Sequence, residues 1–250
     1  MKRLFALAAA ISLIAQPSGV AAQGFAPAPA PVEYLNFVGG SGVNGTYGVQ
    51  VGPYVGSFAS APGSSFALYC VDYLHYASAA TGLVNATQLD GSSSLANTRL
   101  QDFGRYQQTA YLSSLFDGWQ TYQSALQATY GMSFSQGNVW GGLHAAIWDV
   151  GNGPSNLGSG NARTAAARDY FLGLAGSNGG SFSTQGWYVL TDVAVATAGN
   201  VAYDGTGQEF LVRAPPAAVP ETSTVFLFAS GLLMLAWSGS RRRRLVTLAT

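Results

Sequence analysis

Two short apolar runs bracket the chain, one behind Lys2 and Arg3, the other ahead of Arg241, Arg242, Arg243 and Arg244. Between them they leave residues 34–213 as the stretch that can build a core. Leu4 to Ala15 is apolar, Gln16-Pro17-Ser18-Gly19 breaks it, and Val20-Ala21-Ala22 places small residues before Gln23. Cations, an apolar run and small residues, in that order, are the three parts of a secretory signal peptide. Residues 1–22 are therefore expected to be a leader cleaved between Ala22 and Gln23. Residues 23–33 read as a Pro-Ala spacer, which favours an extended chain.

At the other end, Ala214 to Pro220 is a second Pro-Ala linker, and 221–244 is a tail with an apolar helix at about 225–240. An apolar helix closed by four arginines obeys the positive-inside rule, so the basic end is expected in the cytoplasm. Without processing, the segment would serve as an ordinary C-terminal anchor.

The charge balance follows from this division. Charged residues are 9% of the chain, against the usual quarter. Five basic and ten acidic residues lie between 23 and 220, so a processed body carries about five net negative charges. An acidic body without clustered Lys or Arg argues against nucleic acid as a partner. The single cysteine, Cys70, excludes an intrachain disulfide framework.

Aromatics and valines alternate with small residues from Phe37 to Ser60, and Ser65 to Val71 is a further apolar strand. Gly82 to Gly91 reads as loop and edge strand. Helical periodicity then takes over at Thr98–Leu115, Gln120–Tyr130, Ser135–Val150 and a segment opened by Asn161. Two strands, Gly186–Ala196 and Gly207–Arg213, close the body. The pattern predicts an α+β domain over 34–213: a β-sandwich or barrel-like sheet with a helical insertion.

Val219-Pro220-Glu221-Thr222-Ser223-Thr224, an apolar helix and an Arg cluster together resemble the PEP-CTERM sorting signal. Thr222 stands where that motif usually has a second proline. The resemblance implies a Gram-negative exporter with the Sec translocon, signal peptidase and an exosortase-like transpeptidase as partners. It also implies transient residence in the inner membrane, cleavage near Pro220 and Glu221, and delivery to the cell surface or extracellular matrix. Extracellular polysaccharide is then a candidate partner, with Trp119, Trp140 and Trp187 as rings able to stack on sugars if exposed.

Tyr69-Cys70-Val71 and Leu143-His144-Ala145-Ala146-Ile147-Trp148 resemble a second group, the thioester domains of bacterial adhesins, as does Tyr106 to Leu112 between them. There a strand-borne Cys joins a helix-borne Gln. Here His144 stands in the Gln position and Leu143 in the Thr position, and Gln136 lies off the motif. Imidazole has no acyl carbon, so the resemblance implies a related fold without that bond.

Three chemical readings of the body remain. Cys70 and His144 could pair as nucleophile and base, oriented by Asp72 or Asp149. Cys70, Asp72, His75 and His144 include metal-ligand types, but alternation puts His75 on the other side of a strand from Cys70, and no metal site is expected. Packing is the third reading, since free cysteine is among the most buried residue types. The expectation is a non-enzymatic surface or matrix protein with no cofactor. The alternative is a Cys70-based enzyme, or a degenerate thioester adhesin.

Overall fold

The computed structural model describes residues 33–40, 43–44, 49–74, 82–154, 161–198 and 207–214. The expected leader, tail helix and processing residues Ala22, Gln23, Pro220, Glu221 and Arg241–Arg244 lie outside them, as does His75. Among the described residues, no helix is long and apolar enough to cross a membrane.

The strands are β1 (Glu33–Gly40), β2 (Val43–Asn44), β3 (Gln50–Val51), β4 (Tyr54–Phe58), β5 (Ser65–Cys70) and β6 (Gly82–Gln88). Four helices follow: α1 (Phe103–Ser113), α2 (Trp119–Tyr130), α3 (Gln136–Asn152) and α4 (Ala162–Asn178). Then come β7 (Trp187–Asp192), the short α5 (Val193–Ala198) and β8 (Glu209–Arg213).

Six strands close into a barrel in the order β1-β4-β5-β8-β7-β6, every pair antiparallel; β2 and β3 form a separate ribbon. The sequence pattern left sandwich and barrel open, and closure decides for the barrel. β1 begins at Glu33, one residue ahead of the expected start of the body. The edge-strand reading of Gly82–Gly91 is corrected: β6 pairs with both β1 and β7, and a closed barrel has no edge. The strand expected over Gly186–Ala196 stops at Asp192, whose Oδ1 accepts the Ala194 N–H and turns the chain into α5.

Alternation sends Leu35, Phe37, Tyr54, Leu68, Cys70, Leu190 and Phe210 to one face of the wall. That face is the barrel interior. Phe37 on β1 stacks on Phe210 at 5.7 Å between centroids, although β1 and β8 lie three places apart around the ring. The outward set, Tyr69, Trp187, Val189, Thr191, Glu209 and Leu211, is buried as well. The turns that follow α1 and α4 help to cover it: Tyr69 stacks on Phe116 at 5.7 Å, and Trp187 meets Phe182 at 6.2 Å.

The helical insertion between β6 and β7 starts and stops where side chains satisfy free backbone groups. Asp102 caps α1 by accepting from the Arg105 N–H, so α1 begins at Phe103 rather than Thr98. Ser135 and Asn138 form a reciprocal capping box on α3, and Asn161 caps α4. Gly131, at φ +65°, ends α2 in the left-handed region. Every residue of α3 from Gly141 to Trp148 is buried, so this helix is the centre of the insertion.

Candidate functional site

The residues with chemical potential gather where α3 crosses one end of the barrel. β5 finishes there at Cys70, opposite Phe210, and β4 starts there at Tyr54. Inside the wall, Trp148 Nε1–H donates to Cys70 Sγ at 3.4 Å, and the thiol donates to the Asp72 carbonyl at 3.2 Å. Cys70 is 1% exposed. Burial pushes its thiol up to about 12, so at neutral pH it is S–H rather than thiolate.

His144, one turn before Trp148 on α3, lies parallel to the indole of Trp148 with centroids 5.1 Å apart. Phe116 at 4.9 Å and Tyr54 at 6.1 Å complete an aromatic surround. Its Nδ1 accepts the Gly52 N–H at 2.9 Å, which fixes the neutral tautomer with hydrogen on Nε2. Burial pulls the imidazole down to about 3. Gly52 needs its missing side chain: at φ +114° a Cβ would lie 2.4 Å from Trp140 Cε3.

The sequence-derived nucleophile and base are therefore neighbours of the same indole, but each is hydrogen-bonded elsewhere. His144 Nδ1 is taken by Gly52, and its Nε2 has no hydrogen-bond partner among the described residues. Of the proposed orienting acids, Asp149 contacts Arg168 Nε at 3.5 Å. Asp72 belongs to a second cluster on the outer side of the wall.

That cluster is ionic. Glu209, at the start of β8, accepts from the Arg99 backbone N–H at 2.8 Å, the Tyr106 hydroxyl at 2.8 Å and the Thr191 hydroxyl at 2.7 Å. Arg99 Nε lies 3.6 Å from Asp72 Oδ2 and 3.8 Å from Glu209 Oε1, and Nη2 donates to the Val71 carbonyl at 3.2 Å. Gln208 Nε2 donates to the Asp72 carbonyl at 2.7 Å. The side chains of Asp72, Arg99 and Glu209 are wholly buried, and burial raises the carboxyl of Glu209 above the usual glutamate range. α3 approaches closely because Gly151 carries no side chain: a Cβ there would lie 2.9 Å from the Val71 carbonyl oxygen.

Sequence reasoning used Arg99 only for charge and passed over Glu209 as a site residue. The usable signal was scarcity: in a chain with 9% charged residues, an acid inside Glu209-Phe-Leu-Val-Arg213 needs a partner. Of the suggested sugar-stacking rings, Trp187 is 1% exposed and packed between Tyr69 and Phe182, which corrects that assignment. Trp119 and Trp140 are half-buried against the core. Among the described residues, no group of three or more His, Cys, Asp and Glu side chains is placed to hold a metal.

No family model, curated protein or solved structure matches the chain.

Proposed function

We propose that this is an exported bacterial surface or extracellular-matrix protein, sorted by an exosortase-type system, whose α+β body is a binding or structural module. The sequence of the ends supports export: cations, an apolar run and small residues in that order over 1–22, and Pro220-Glu221, an apolar run and Arg241–Arg244 in succession at the tail. For the body, one observation carries the reading. The two side chains that nucleophilic chemistry would need are both committed to packing, Cys70 between Trp148 and the Asp72 carbonyl, His144 on the Gly52 N–H. A thiol pushed up to about 12 and an imidazole pulled down to about 3 are mismatched to proton exchange with each other at neutral pH.

The same contacts support kinship with thioester-type surface domains. Cys70 on a strand and His144 on a helix flank one tryptophan, with imidazole in place of the acyl-bearing side chain. The body then keeps the architecture and uses it for recognition or construction rather than covalent capture.

Replacing Arg241–Arg244 by alanine tests the sorting half. The variant is expected to accumulate with its tail attached at the inner membrane, read by cell fractionation. Delivery at the normal level would overturn the proposal.

A further inference from the structure

Three successive backbone N–H groups just ahead of α1 go to three side chains that themselves form a row. The Arg99 N–H donates to Glu209 Oε2 at 2.8 Å, the Leu100 N–H to the Tyr106 hydroxyl at 3.0 Å, and the Gln101 N–H to Thr98 Oγ1 at 3.4 Å. Tyr106 joins the row: its hydroxyl is 2.8 Å from Glu209 Oε1 and within hydrogen-bond reach of the Thr98 side chain. Thr98 Oγ1 in turn donates to the Leu95 carbonyl at 2.7 Å. Glu209, Tyr106 and Thr98 are all buried. The turn they hold is strained: among the described residues, Gln101 at φ +51° is the one non-glycine residue in the left-handed region.

A hydroxyl can accept and donate at once, whereas a backbone N–H only donates. With Glu209 ionised, Tyr106 donates to Oε1. A proton on Glu209 instead needs an acceptor. Oε2 already accepts two bonds, from the Arg99 N–H and the Thr191 hydroxyl, which fills its lone pairs. The proton therefore goes to Oε1, where the Tyr106 hydroxyl can accept it and turn its own hydrogen to Thr98 Oγ1.

We propose that this row is a proton-operated clasp between the helical insertion and β8. With Glu209 ionised, the Tyr106 hydroxyl and the Arg99 N–H both hold the turn to β8. With Glu209 protonated, donation runs from Glu209 to Tyr106, to Thr98, to the Leu95 carbonyl. The Arg99 guanidinium, whose Nε is 3.6 Å from Asp72 Oδ2 and 3.8 Å from Glu209 Oε1, is then left to Asp72. The charged and titratable groups that face Glu209 are thus Arg99 and Tyr106 from the insertion and, beyond Arg99, Asp72. β7 brings the Thr191 hydroxyl, which does not titrate, and α3 approaches Arg99 with Gly151, which has no side chain. Burial disfavours the charge on Glu209, and Arg99 and the three donors favour it. Burial is the larger, which raises the carboxyl above the usual glutamate range.

The test is NMR on the full chain carrying ¹³C-labelled glutamate carboxyls and ¹⁵N-labelled amides. The chain has three glutamates, Glu33, Glu209 and Glu221, and Glu209→Gln identifies the signal of interest by its loss. The expected result is a Glu209 midpoint above 4.5, the ordinary value, with the Arg99, Leu100 and Gln101 amides shifting at that same midpoint. A Glu209 midpoint at or below 4.5 would overturn the proposal, as would turn amides that do not follow it. The parent titration decides this without a variant at Tyr106. Tyr106→Phe then tests the relay: the Arg99 amide should still follow Glu209, and the Gln101 amide should not. An equal Gln101 response in parent and Tyr106→Phe would show that nothing passes through Tyr106 and would end the proposal.

Discussion

The two clusters lie on opposite sides of one barrel wall, two residues apart in sequence at Cys70 and Asp72, and treat ionisable groups in opposite ways. On the inner side, Cys70 and His144 are held neutral by burial among Trp148, Phe116 and Tyr54. On the outer side, Arg99 is set between Asp72 and Glu209, and three donors converge on Glu209. Equal depth does not dictate equal chemistry. What differs is the density of donors and of opposite charge, and the barrel end uses one solution on each side.

The largest expected effect separates them. Arg99→Met leaves two buried carboxyl groups without their cation and is expected to cost about 3–5 kcal/mol in urea unfolding, whereas Cys70→Ala should cost about 1–2 kcal/mol. Comparable losses would mean the ionic cluster contributes no more than ordinary packing. Gly52→Ala comes next, at about 2–3 kcal/mol, because it meets both the positive φ and the Trp140 ring.

The clusters also differ in the sign of their pH dependence. His144 is lowered from 6.5 to about 3 in the fold, so its contribution is complete above 6.5 and is lost as pH falls through that window. Glu209 is raised, so its contribution is complete below the ordinary glutamate value of 4.5 and is lost as pH rises through its folded value. Urea midpoints of His144→Gln between pH 6.5 and 4.5 should therefore lack a loss of about 1.4 kcal/mol per pH unit that the parent carries. Parallel curves would remove His144 from the account. Least in energy is the thiol itself: iodoacetamide should leave Cys70 unmodified in the native protein and label it once urea unfolds the chain.

The four helices of the insertion were legible to within about five residues because their signals are local, whereas α5 was read as the end of a strand. Asp102, Ser135 and Asn161 stand at the starts, and the apolar stripes have the right period. Barrel closure was not legible, since it depends on residues 33–35 pairing with 82–84, and nothing local encodes that register. The same limit hid the ionic cluster, whose Arg99 and Glu209 are 110 residues apart. Trp187 illustrates a further limit: a sequence marks an aromatic without saying that the helical insertion will cover the outward face it occupies. Cys70 and His144, offered from the sequence as a nucleophile and base, both lie beside Trp148. Their protonation could be read only once Trp148, Gly52 and the surrounding rings were in place.

Intact mass with terminal peptide mapping, on protein taken from its exporting host, tests the central claim most directly. The account predicts a body that starts at Gln23, ends near Pro220 and carries an unmodified Cys70 thiol. A body that retains residues 225–250, or one lighter by an ammonia through a bond to Cys70, would contradict it.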